Sequence, residues 1–110
     1  MKIDLFQFSD YRKFLVAHYQ MKQRENPRWS SGVWAKRLNL SSRSSVTKVL
    51  TGLRNPGKGM TEKFVLYFNF TKKEEIYFRT LIKLDTFSDD PKLRQLLKDT
   101  VAHYVRLATE

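Results

Sequence analysis

Capping residues punctuate this chain at short intervals, and nowhere between them do apolar and polar residues alternate long enough to demand a sheet, so the sequence predicts an all-α fold. A first helix opens at Ser9 or Asp10 and runs to about Arg24, with an apolar stripe of Tyr11, Phe14, Leu15, His18 and Met21. Asn26-Pro27 ends it, because the residue before a proline is pushed out of the helical region. Ser30 is placed to cap a short second helix holding Val33, Trp34, Ala35 and Leu38. After the turn Asn39-Leu40-Ser41, a third helix capped by Ser41 or Ser42 ends at Gly52, which adopts the left-handed C-terminal conformation at no steric cost. Arg54 to Gly59 is a loop by composition, since two Gly and a Pro are poor helix formers. Thr61 is then expected to cap a fourth helix carrying Phe64, Val65, Tyr67 and Phe68. Thr71-Lys72-Lys73-Glu74 has the pattern of a capping box opening a fifth, which buries Tyr77, Phe78, Leu81 and Ile82. Ser88-Asp89-Asp90-Pro91 starts a sixth helix that reaches about Ala108, acid and proline both suiting a helix start. The expected organisation is a helical bundle of about five helices over residues 1–87, followed by an amphipathic helix over 88–110.

Charge narrows the function classes. The chain has 21 Lys and Arg against 11 Asp and Glu, a net charge of +10. Twelve of the basic residues but only three of the acidic ones lie before residue 61. A positive field concentrated on one half attracts polyanions, and nucleic acid is the commonest of these in the cytosol. Aromatic and aliphatic residues are plentiful enough to build a core, so this is not a disordered basic tail. No run of apolar residues is long enough to span a membrane or to form a secretory signal, and a cytoplasmic location is expected. Cysteine is absent, which excludes disulfides, thiol nucleophiles and thiolate metal sites together.

Residues 31–50 have the layout of a helix-turn-helix: a short helix with the small residue Ala35, a tight turn, and a second helix with one apolar face. On that second helix Val46, Val49, Leu50 and Leu53 recur at i, i+3, i+4 and i+7 and should face the domain. The opposite face then carries Ser44, Lys48 and Thr51, with Ser45 and Thr47 beside them and Arg43 at the helix start. Short hydroxyl side chains and one lysine suit the major groove, where they reach base edges without holding the helix off the DNA. The candidates for reading bases are Arg43, Ser44, Ser45, Thr47 and Lys48. Ser30, Ser31, Lys36, Arg37, Thr51, Arg54, Asn55 and Lys58 are candidates for phosphate contacts, which position a protein rather than specify sequence.

The sequence points to duplex DNA as the partner and to no enzyme, since no acid, base or nucleophile has a matching partner. His18 and His103 are far apart, each at a helical position among apolar residues, and are read as satisfied core or boundary histidines. No metal, cofactor or small-molecule ligand is expected. In the last helix Leu93, Leu96, Leu97, Val101, Tyr104, Val105 and Ala108 form a broad apolar stripe that either packs back on its own domain or pairs with a second copy. Two alternatives stand beside DNA binding. One is a protein-interaction module docking through the helix-turn-helix surface and the C-terminal helices. The other is single-strand or RNA binding through Trp29 and the basic loop.

These residues resemble the helix-turn-helix regulators of the Bdellovibrio/Fibrobacter paralogous family. Asp10-Tyr11-Arg12-Lys13-Phe14-Leu15 is similar to that family's opening. Ala35-Lys36-Arg37-Leu38 and Leu40-Ser41-Ser42 are similar to its first helix and turn, and Gly52 with Arg54-Asn55 to its exit from the recognition helix. Glu74, Tyr77-Phe78 and Leu81-Ile82 resemble its next marker. More distantly, the first five helices look like the phage-repressor type of helix-turn-helix domain. The resemblance implies a bacterial transcriptional regulator with Arg43, Ser44, Ser45, Thr47 and Lys48 on the DNA side. Asn39 stands where that pattern has a turn glycine, and asparagine also tolerates the left-handed conformation. The apolar positions of the recognition helix fall one residue later than in the phage-repressor pattern, which implies a turn one residue longer. Family members typically continue into a second domain, so the chain is expected to be a short form or a piece of a longer regulator.

Overall fold

The computed structural model describes residues 3–86 and 89–109. Among them are six α-helices, one 3-10 turn and no strand: the 3-10 turn Leu5–Gln7, then α1 (Tyr11–Glu25), α2 (Ser31–Arg37), α3 (Arg43–Leu50), α4 (Lys58–Phe68), α5 (Lys72–Thr86) and α6 (Pro91–Thr109). The chain is thus all-α, as its pattern requires. Among the described residues no helix is long and apolar enough to cross a membrane. Ser88, expected at the start of the last helix, lies outside the described residues.

Side chains set four of the six α-helix starts. Ser30 Oγ accepts from Val33 N–H at 3.2 Å and starts α2. Of the two serines eligible to cap α3 it is Ser42, whose Oγ accepts from Ser44 N–H at 3.2 Å. Thr71 and Glu74 close a reciprocal capping box at α5, with Thr71 N–H to Glu74 Oε1 at 2.9 Å and Glu74 N–H to Thr71 Oγ1 at 3.2 Å. Asp90 Oδ1 accepts from the N–H groups of Lys92 and Leu93 and starts α6, with Pro91 at its first position. Caps of this kind contribute about 0.5–2 kcal/mol each.

Two expectations around α4 are corrected. Thr61 does not cap this helix, and the loop does not extend to Gly59. The N-cap is Gly57, in extended conformation, and Lys58 and Gly59 already belong to the first turn. Thr61 is buried, and its Oγ1 donates to Gly57 O at 2.9 Å. Glycine costs a helix about 1 kcal/mol, and starting α4 at Lys58 brings Met60 and Phe64 into the core. The 3-10 turn had no counterpart in the sequence reading. Asp4 caps it by accepting from Phe6 N–H at 3.0 Å, and it buries Leu5.

The chain forms two compact units. The first comprises Ile3 and Arg12–Asn69, the second Asp4–Tyr11 and the described residues 70–86 and 89–109. Within the second unit α5 packs against α6. In the first unit Phe14, Leu15, Trp34, Ala35, Leu38, Val46, Val49 and Phe64 are buried. Trp34 is central: His18, Tyr19, Trp29, Phe64, Tyr67 and Phe68 all lie with ring centroids 5.1–6.4 Å from its own. In the second unit Leu5, Tyr11, Tyr77, Phe78, Leu81 and Ile82 are buried, and the Tyr77 hydroxyl donates to Phe8 O.

The apolar stripe of α6 divides. Leu97 is buried, Leu93, Val101, Tyr104 and Val105 are half-buried, and Leu96 and Ala108 are exposed. Leu53 leaves the packing face predicted for it and is 77% exposed, because α3 ends at Leu50 and Gly52, at φ +85°, turns the chain away.

His18 faces the aromatic cluster with its Nε2 2.8 Å from the Tyr67 hydroxyl. Burial, reinforced by the Lys22 ammonium and opposed by Glu25, lowers its pKa to about 4. A histidine depressed in the folded state contributes stability that is present above its unfolded pKa and lost as pH falls toward the folded one. Unfolding free energy should therefore decline as pH drops from about 6.5 toward 4. Urea melts at stepped pH check this: His18→Gln, which keeps a hydrogen-bonding group but does not titrate, should flatten that part of the profile, and an unchanged slope would refute the assignment.

Candidate nucleic-acid interface

Helix α2 packs against α3, and five residues, Leu38 to Ser42, join them. The turn is held by backbone bonds from Leu38 N–H to Trp34 O, Asn39 N–H to Lys36 O and Leu40 N–H to Ala35 O, at 2.8–3.0 Å. Asn39 takes the left-handed conformation, with φ 59°, as the position requires. Lys63 Nζ reaches across from α4 to donate to Asn39 O at 2.8 Å, a support 24 residues away in sequence that the local pattern does not reveal.

Helix α3 turns Val46 and Val49 fully inward, with Leu50 half-buried. On its outer side Arg43, Ser44, Thr47, Lys48 and Thr51 are exposed and Ser45 is half-buried, so the five predicted base-reading residues do share one short helix. Arg43 lies along the first turn of α2: a Cβ built on Gly32 would meet its Cβ and Cδ at 3.9 and 4.0 Å. That places a guanidinium-bearing side chain where the starts of α2 and α3 come together. The hydroxyls are already engaged locally. Ser42 Oγ and Ser44 Oγ are 2.8 Å apart, Thr47 Oγ1 donates to Arg43 O at 3.3 Å, and Thr51 Oγ1 to Thr47 O at 2.8 Å.

The predicted phosphate contacts have mixed environments. Ser30, Lys36, Arg37, Arg54 and Lys58 are exposed, and Ser31 is half-buried. Lys58 stands on the first turn of α4 rather than in a loop. The Val33 N–H at the start of α2 is taken by Ser30 Oγ. Arg37 lies over the Trp29 ring at 5.8 Å, which holds its guanidinium near the surface end of α2. Asn55 is half-buried, and its Oδ1 accepts from Arg12 at 3.0 Å.

Arg12 is the residue the sequence reading missed. From α1 it donates through Nε to Val49 O at 2.7 Å and through Nη2 to Asn55 Oδ1, with Arg54 O at 3.5 Å from the same nitrogen. The last carbonyls of α3 lack intrahelical partners and carry the negative end of the helix dipole, so a cation there both satisfies and stabilises them. Next to it the chain reverses: Gly52 N–H bonds to Val49 O, and the N–H groups of Leu53 and Arg54 both bond to Lys48 O. Arg12 thus fixes the exit of α3 to α1. A basic residue one position into a helix gives no hint of this, since its partners lie 37 to 43 residues further on.

Trp34 lies in the core, as its helical position implies, and Trp29 is buried with it. Trp29 is 4% and Trp34 0% exposed, and Lys22 Nζ and Arg37 Cζ lie over Trp29, so neither ring offers a face to an unpaired base. His18 is half-buried against Tyr67, whereas His103 is exposed on α6. In the second unit a groove of about 470 Å³ is walled by Asp10 and Asp85 as well as Arg94 and Lys98, so its charges offset one another. Val101 lines this groove within its own unit.

Arg12→Ala should destabilise the protein by about 1.5–3 kcal/mol, the usual worth of hydrogen bonds to a charged group. Arg12→Lys, which keeps the charge but loses the fork, should recover only part of that. Denaturant melts of the three proteins measure it, and an Arg12→Ala midpoint equal to the parent's would show that the clasp contributes nothing.

Comparison with known proteins returned no matching family model, no matching curated protein and no matching solved structure.

Proposed function

We propose that the chain binds double-stranded DNA in a sequence-dependent way, as a transcriptional regulator, with α3 lying in the major groove. The observation that carries this reading is the composition of the outer face of α3. Arg43, Ser44, Thr47 and Lys48 are exposed side by side opposite buried Val46 and Val49. Serine and threonine are weak helix formers, and a face rich in them is poorly suited to mere solvation but well suited to close approach to base edges. Exposed Lys36, Arg37, Arg54 and Lys58 flank this helix in sequence and supply cations for the two backbones. The concentration of positive charge before residue 61 favours the same partner.

The protein-docking alternative draws on Leu53, Leu66 and Leu96, exposed by 77%, 77% and 62%. Its signature is a complex that survives high salt. Pairing through α6 would give a two-fold dimer with recognition helices about 34 Å apart and a near-palindromic site.

Binding to random-sequence duplexes across a salt titration, followed by selection of a motif, distinguishes these readings. The expected result is a steep loss of affinity with salt and enrichment of a defined sequence. Arg54→Ala should weaken all duplexes alike and reduce the salt slope by about one. Lys48→Ala should alter the selected motif. Folded protein that fails to bind duplex at low salt would overturn the proposal, and uniform weakening by Lys48→Ala would remove that residue from the base-reading set.

A further inference from the structure

Thr47 and Thr51 are both exposed on α3, and both turn their hydroxyl proton onto the carbonyl one helical turn back. A hydroxyl has a single proton to donate. With its hydroxyl donating to Arg43 O at 3.3 Å, Thr47 still has its γ-methyl to offer an outside partner. Its exposed neighbours differ in kind. Arg43 and Lys48 are pure donors, matched to the acceptors of guanine, and Ser44 has no methyl, its Oγ lying 2.8 Å from Ser42 Oγ. Thr51 shows the same lock at 2.8 Å but sits at the C-cap, away from the end of a recognition helix that reaches bases. Thr47 is therefore the one exposed base-reading candidate that brings an apolar group to this face. Of the four bases, only thymine displays a methyl group in the major groove.

We propose that Thr47 is a thymine-selecting residue, its γ-methyl packing against the C5-methyl of one thymine in the site. This rests on the duplex-binding reading of α3. The two methyl groups exclude water from each other, while the flanking cations fix the register by contacts to guanine or phosphate.

Single thymines of the selected motif are replaced one at a time by deoxyuridine, which pairs identically but lacks the methyl, and affinity is measured at fixed salt for the parent, Thr47→Ser and Thr47→Val. At one position the parent should lose about fourfold in affinity, the equivalent of one buried methyl-sized group. Thr47→Val, which keeps methyl groups and loses the hydroxyl, should retain that sensitivity. Thr47→Ser should bind the thymine duplex about fourfold more weakly and show no further loss with uracil, since the two changes remove the same contact. Equal affinity for thymine and uracil at every position overturns the proposal, as does an undiminished uracil penalty in Thr47→Ser. Duplex binding without any enriched motif overturns this proposal and leaves DNA binding standing. No duplex binding at low salt overturns both.

Discussion

Trp34 is the contact on which the candidate interface depends. Its ring is fully buried among side chains from α1, from the linker before α2 and from α4, so a single residue fixes where α2 lies within the first unit. Because α2 packs against α3 through a five-residue turn, the position of α3 follows from that of α2. Arg12 then holds the other end of α3 by its terminal carbonyls. A helix offered to a rigid duplex must be oriented before it binds, since any freedom it retains is lost on association and subtracts from affinity. Restraint at both ends, with the outer face left bare, is what such a helix needs.

The aromatic cluster carries a cost. Trp29 Nε1 and Trp34 Nε1 are buried and find no hydrogen-bond partner among the described residues. Leaving a buried donor unpaired costs about 1–3 kcal/mol, comparable to what one large ring recovers through its packing. Bulk is therefore the property these two positions require, and the indole N–H is tolerated rather than used. Neutral His18 is consistent with the same environment: burial among rings disfavours its charged form, and the nearby Lys22 adds to that effect. The cluster also makes Trp29 a seat for Lys22 and Arg37, so a residue that looked like a base-stacking platform organises surface cations instead.

What the sequence made legible was local. Ser30, the Thr71 and Glu74 pair, Asp90, Asn39 and Gly52 each act within four residues of themselves, and each behaves as its chemistry dictates. Helical periodicity likewise placed Val46, Val49, Phe78 and Leu81 inside. Periodicity failed where a helix stopped early. Leu53 fits the i+7 position of α3, but only if the helix continues past Gly52, and it does not. Composition failed at Lys58 and Gly59, because the gain from burying Met60 and Phe64 outweighs the modest penalty of a glycine in a first turn. The residues that support the candidate site from a distance, Arg12 and Lys63, were not legible at all. Their partners lie 24 to 43 residues away, and no local pattern encodes such a meeting.

The charge asymmetry and the polar face of α3 act at different ranges. A field from twelve basic residues against three draws any polyanion toward the first 60 residues, and by itself distinguishes no sequence. Discrimination needs groups whose outward chemistry is fixed before contact. Thr47 and Thr51 approach that requirement through their own helix, their hydroxyls donating to Arg43 O and Thr47 O, while the Ser42 and Ser44 hydroxyls pair with each other and use only one of their two protons. A freely rotating hydroxyl accepts or donates according to the base it meets and so discriminates little. For Thr47 and Thr51 the bond gives the hydroxyl proton to a carbonyl of their own helix and leaves each side chain its methyl group and oxygen lone pairs.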